Sequence, residues 1–225
     1  MAPKLTLDDI ADLRAYERER PAFLQQVVAL KAKRRVAVGP IVSFAFENRE
    51  TVRFQIQEMA RVEKLISDEA IQTELDIYNT LIPAPGVLSA TMFIELTSDV
   101  ARRDWLPRLV GIEQAAVLEL PGGARVRSEP EAQDAAQLTD GSTTSSVHYL
   151  RFALTPAQVA DLARGPVALA VDHPAYHERA ELGADTVSEL VSDLRAEAAS
   201  TAGGGFDAPD GPPPVWEKHD KRSGQ

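Results

Sequence analysis

No cysteine occurs among the 225 residues, which removes disulfides, thiolate nucleophiles, cysteine zinc sites and iron–sulfur ligation by the chain itself. Any redox role must be borrowed from a partner. Long apolar runs are missing as well: the uncharged stretch Leu81 to Ile94 is too short for a membrane span and carries Pro83 and Pro85. The opening Met1-Ala2-Pro3-Lys4-Leu5-Thr6 has no apolar signal core, so the expectation is a soluble cytoplasmic protein without membrane contact. Histidine is scarce, and neither Glu-x-x-His pairs nor His-Glu-x-x-His occur. A nucleophile elbow, a P-loop and a dinucleotide fingerprint are absent too. Pro121-Gly122-Gly123 has the pattern of a turn.

What is present suffices for one substantial core, since 44% of the residues are hydrophobic. The formal net charge of -10 is uneven: residues 1–66 carry +3 and the remainder -13. The basic run Lys31-Ala32-Lys33-Arg34-Arg35 could meet phosphate or an acidic partner. It also follows Phe23, Val27, Val28 and Leu30 at helical spacing, where cations in a last turn offset the helix macrodipole. With an acidic chain around it and no accompanying motif, nucleic acid is the weaker alternative among partners.

Periodicity and caps predict a single α+β domain over residues 1–199, with a largely antiparallel sheet and N-terminal and C-terminal helices packed on it. Thr6 caps a first helix to about Arg20, and Pro21 opens a second through Lys33. Val36 to Phe46 reads as strand broken at Gly39-Pro40, followed by a helix within the segment Phe46 to Lys64. Ser67 caps the next helix, Asp68 to about Asn79, before a strand Thr91–Leu96 and a short helix from Thr97 or Ser98 to Trp105. Ala115–Leu120 and Ala124–Arg127 form a hairpin, Glu129–Ser146 a mobile loop, and Val147–Leu154 a strand. Thr155-Pro156-Ala157-Gln158 is a capping box for a helix ending near Gly165. Val167–Val171 is then strand, Asp172–His177 a turn, and Thr186-Val187-Ser188-Glu189 the capping box of a last helix. Residues 200–225, with Gly203-Gly204-Gly205, Pro212-Pro213-Pro214 and Trp216, read as a disordered tail.

The most informative stretch is Phe46 to Lys64. Wound as a helix, it gathers Arg53, Gln57, Arg61 and Lys64 on one arc and Val52, Ile56, Met59, Val62 and Ile66 on the opposite stripe. Glu63 falls within that apolar stripe, with Gln55 and Glu58 at its flank, and a buried carboxylate must be paired or neutralised. Two kinds of chemistry follow. Glu58 or Glu63, desolvated, could act as a general base. Alternatively Glu58, His148 and His173 could hold a metal ion, with His177 close in sequence and Pro174 disfavouring a shared helical face. Gln55, Arg151 and Tyr176 complete the pocket these readings require. Against both stands a structural ion pair in which Arg151 meets Glu58 or Glu63.

The stretches FENRETVRFQIQEMARVE (46–63), ELDIYNTLIP (74–83), LVGIE (109–113), VHYLRFALTP (147–156) and VDHPAY (171–176), with Leu5-Thr6-Leu7-Asp8-Asp9-Ile10 and Lys33-Arg34-Arg35, resemble a bacterial family catalogued as domain of unknown function 3501. The resemblance runs over about residues 4–198 and brings no catalytic residues. It implies at most an accessory or interaction protein of redox or peroxide metabolism, partnered by a rubrerythrin-like or iron–sulfur oxidoreductase protein that supplies the cofactor.

Overall fold

The computed structural model describes residues 3–131 and 142–202, with side chains through Arg195. Asp12 caps α1 (Leu13–Arg34), its side chain accepting from the Ala15 amide at 2.9 Å. The helix is continuous where two were expected. Pro21 sits inside it on the exposed side, costing one backbone hydrogen bond without ending the helix. Thr6 caps only a 3-10 turn, Leu7–Asp9.

β1 (Arg35–Val38) and β2 (Val42–Glu47) form a hairpin around Gly39, whose φ of 72° suits glycine; a Cβ there would run into the Tyr176 hydroxyl. Then come α2 (Arg49–Glu63), α3 (Asp68–Tyr78), β3 (Val87–Ile94), α4 (Asp99–Arg108), β4 (Ala116–Glu119), β5 (Arg125–Arg127), β6 (Glu129–Pro130) and β7 (Val147–Ala153). α5 (Pro156–Leu162), β8 (Ala168–His173), β9 (Tyr176–Glu181) and α6 (Ala184–Ala202) complete the order. The fold is α+β and antiparallel throughout, in two sheets: β1-β2-β3-β7-β6 and β5-β4-β8-β9.

Register positions everything that follows. Phe44 pairs with Met92, Phe46 with Ala90, and Leu150 and Phe152 with Ala90 and Leu88. These side chains share one face and one buried cluster with Leu118, Leu169 and Val171 of the second sheet and Leu190 and Leu194 of α6. By the period of two, Arg35, Ala45, Glu47, Thr91, Phe93, Val147, Tyr149 and Arg151 point the other way. That outer face is where the helical layer packs: Val52 and Ile56 of α2 and Leu75 of α3 bury with Leu5, Leu81 and Ile82. Each large side chain so enclosed contributes about 2–3 kcal/mol.

Three local expectations give way. Asp172–His177 is not an isolated turn but the tip of the β8–β9 hairpin, with His173 paired to Tyr176. α6 starts at Ala184, which puts Thr186 inside the helix and buried instead of at its cap. Glu129–Pro130 joins the first sheet, and Thr144 is buried with its amide on the Leu106 carbonyl, so the span 129–146 is anchored at both ends. Residues 132–141 of that loop, and the tail from 203 with Trp216, lie outside the described residues.

Candidate functional site

α2 begins where Asn48 accepts from the Glu50 and Thr51 amides at 3.1 and 3.0 Å, and ends at Lys64, which closes it in the left-handed conformation at φ 56°. Because the helix stops there, the apolar stripe stops too. Val62 is 64% and Ile66 85% exposed, and Glu63 faces solvent, not the core. The buried line is Val52, Ile56, Gln57 and Ala60.

Glu58 does point inward, toward α1. Tyr16 donates to it at 2.7 Å, Arg20 reaches it through Nε at 2.8 Å and Nη2 at 3.0 Å, and Arg61 through Nη2 at 3.1 Å. The Arg20 bonds, opposed by burial and assisted by Tyr16 and Arg61, hold its carboxyl down at about 2. Burial, then Glu58 itself, pushes the Tyr16 hydroxyl up. A carboxylate held this way is a poor proton acceptor near neutrality. The expected partner, Arg151, lies on β7 and pairs with Glu131 at 3.0 Å.

The two histidines do not meet Glu58 or each other. His148 is fully buried on the inner face of the first sheet, with Nε2 2.9 Å from the Ser145 carbonyl and 3.1 Å from Thr144 Oγ1; the pleat turns it away from the helical layer. His173, at the β8–β9 tip, accepts the Ala175 amide on Nδ1 at 3.2 Å and lies 3.1 Å from the Val110 carbonyl through Nε2, so both ring nitrogens are engaged. His177 meets Asp172 at 3.1 Å. Tyr176 bonds the Val38 carbonyl at 2.6 Å and fastens the β1–β2 turn to the second sheet. Among the described residues no three His, Asp or Glu side chains gather where they could hold a metal ion.

Two amides that sequence reasoning left aside hold the N-terminal segment. Gln57 accepts the Ala11 amide at 3.0 Å and donates to the Ala11 carbonyl at 2.8 Å; Asn79 does the same to Leu5 at 2.8 and 2.9 Å. Arg49 bonds the Pro3 carbonyl and Asp9, and Arg53 the Asp9 carbonyl. Only a buried Gln at the edge of the basic arc hinted at this, and its partner lies 46 residues away.

Between the helical layer and the outer face of the first sheet lies a cleft of about 250 Å³. Gln55 is the one expected pocket residue that lines it. Ala45, Val52, Leu81, Phe93 and Val147 make its walls largely apolar, and Tyr78 and Tyr149 add phenols. Glu47 lies at the cleft, each carboxylate oxygen accepting one hydroxyl: Thr91 at 2.7 Å and Thr51 at 2.5 Å. Two cations line it. Arg35 is already engaged by Glu95 and Ser43 and stacks over Phe93, whereas Lys31 rests over the Phe54 ring at 5.1 Å. Neither Lys31 nor Glu47 forms an ion pair among the described residues. Concave, mostly apolar and carrying a few polar groups, the cleft has the character of a small-ligand site.

A family model described as protein of unknown function (DUF3501) matches residues 4–194. A crystal structure of a novel protein of unknown function from Burkholderia pseudomallei K96243 superposes with a TM-score of 0.79 at 36% identity, covering 85% of this chain and 100% of that one. No curated protein matches.

Proposed function

The chain belongs to the DUF3501 family of proteins of unknown function, and from that premise we propose that it is an accessory protein of redox or peroxide metabolism that works by binding, with the cleft beside Glu47 as its working surface. The observation that carries this reading is Glu58: the carboxylate best placed for acid–base chemistry is neutralised by Arg20 and Arg61 and spent on joining α1 to α2. The lack of cysteine agrees with a partner that brings the cofactor, a rubrerythrin-like or iron–sulfur oxidoreductase protein. Affinity capture from native lysate is the test. Recovery of a rubrerythrin-like or iron–sulfur oxidoreductase protein is expected, and recovery of neither contradicts the redox assignment.

The rival reading, an enzyme or metal carrier built on Gln55, Glu58, Glu63, His148 and His173, has less support, because these side chains lie in separate environments. Metal analysis of untagged protein separates the two: stoichiometric metal favours the rival. Nucleic-acid association through Lys31–Arg35 is weakened by the commitments of that run, with Lys33 and Arg34 bonded to Glu189 and Arg34 also to Asp193. A mobility assay at low salt should show no shift. No helix among the described residues is long and apolar enough to cross a membrane.

A further inference from the structure

We infer that the cleft between the helical layer and the first sheet binds a small zwitterion, an α-amino acid with an apolar side chain, its ammonium on Glu47 and its carboxylate on Lys31. The inference rests on reading the cleft as the working surface and adds the class of ligand. It starts from two charges the fold leaves unanswered. Lys31 and Glu47 line one cleft without pairing with each other, and neither has an opposite charge within ion-pair distance among the described residues. The other cation lining the cleft, Arg35, is spent on Glu95 and Ser43.

Glu47 is also prepared for a cation. A carboxylate offers about four acceptor positions, and the hydroxyls of Thr51 and Thr91 occupy one on each oxygen, fixing the group while leaving capacity on both. A second carboxylate there would be repelled; an ammonium with three donors is complementary. Lys31 cannot serve a neutral ligand as well as an anionic one, and its ammonium, over the Phe54 ring at 5.1 Å, has a cation–π neighbour but no carboxylate among the described residues. Between the two charges the walls are Val52, Leu81, Phe93 and Val147, and they favour a leucine-like or phenylalanine-like side chain over a polar one. A ligand with only one charge leaves either Glu47 or Lys31 partly desolvated and unanswered, the arrangement that discriminates most strongly in polar sites.

The experiment is calorimetric titration of the full chain with L-leucine and L-phenylalanine at up to millimolar concentration. Alongside run 4-methylpentanoate and 3-phenylpropanoate, which lack the amine, and 3-methylbutylamine and phenethylamine, which lack the carboxylate. One of the amino acids should bind, with its two analogues about 10- to 100-fold weaker. Glu47→Gln should abolish the advantage over the amine-free analogue, Lys31→Met the advantage over the carboxylate-free one, and Lys31→Arg should restore the latter. Unchanged melting temperatures certify that the variants fold. Analogues binding as tightly as the amino acids overturn the zwitterion assignment and leave the cleft as a site. Absence of any heat, together with unmoved amide resonances around Glu47, overturns both.

Discussion

Glu58 and Glu63 sit five residues apart on one helix and behave oppositely. Glu58 holds Tyr16, Arg20 and Arg61 together with 20% of its side chain exposed, so Glu58→Gln leaves two guanidinium groups facing a neutral amide. A loss of about 2 kcal/mol is expected, lowering Tm by about 4–8 °C in a thermal melt. Glu63→Gln, at an exposed position, should change stability by no more than about 0.5 kcal/mol. That Glu58 faces inward was legible from helical phase. Its partners were not, because Tyr16 and Arg20 lie 42 and 38 residues back on another helix, and no periodicity within α2 points to them. Glu63 was misread because the apolar stripe was carried through Val62 to Ile66, past the left-handed Lys64 that ends the helix. Gln57 belongs with Glu58: Gln57→Leu strands the Ala11 amide and carbonyl, and about 1–3 kcal/mol should be lost on denaturant unfolding.

Among elements, the N-terminal segment depends most on side chains for its place. From Pro3 to Ala11 its backbone is held by Arg49, Arg53, Gln57 and Asn79 of the helical layer, and Leu5 inserts among Val52, Leu81 and Ile82. Asn79→Leu removes both bonds to Leu5 while keeping bulk. Limited proteolysis within residues 3–12 should then quicken severalfold with the rest of the chain intact; an unchanged cleavage pattern contradicts the assigned role. Sequence signals for elements held where caps and turns are local, as at Ser67, Ser98 and Thr155. They broke down where packing decides. Pro21 stays within α1, since the helix is fastened on both sides, at Glu58 and, through Arg34, at Asp193 of α6. β9 was overlooked because its exposed, charged residues, Glu178, Arg179 and Glu181, are those of an edge strand and lack a strand's apolar alternation.

For the whole molecule the consequence is a particular sensitivity to acid. Asp9, Glu58, Glu95 and Glu189 all have carboxyls held below their ordinary values, by a Thr6 backbone bond, by Arg20, by Ser43, and, against burial, by Lys33 and Arg34. Each contributes stability that is present above its unfolded value, 3.8 for Asp9 and 4.5 for the three glutamates, and is lost as pH falls through the folded one. Glu74, raised by burial and by Glu63, works in the opposite sense and alone among these loses stability as pH rises. Melting temperature should therefore be level from neutrality to about pH 5 and fall steeply between there and pH 2, less so in Glu58→Gln. The α+β class and the antiparallel pairing were legible from patterning; the split into two sheets was not, because β2 and β3 are buried on both faces and read as continuous apolar runs. α2 is a brace whose inward charge stays ionised near neutrality, which leaves ligand binding to the cleft next to it. The most direct measurement is a carbon-detected NMR titration of the Glu58 carboxyl in the intact protein. A midpoint at about 2 is expected, whereas a midpoint above 4.5 would mark Glu58 as a proton-exchanging group and contradict the account.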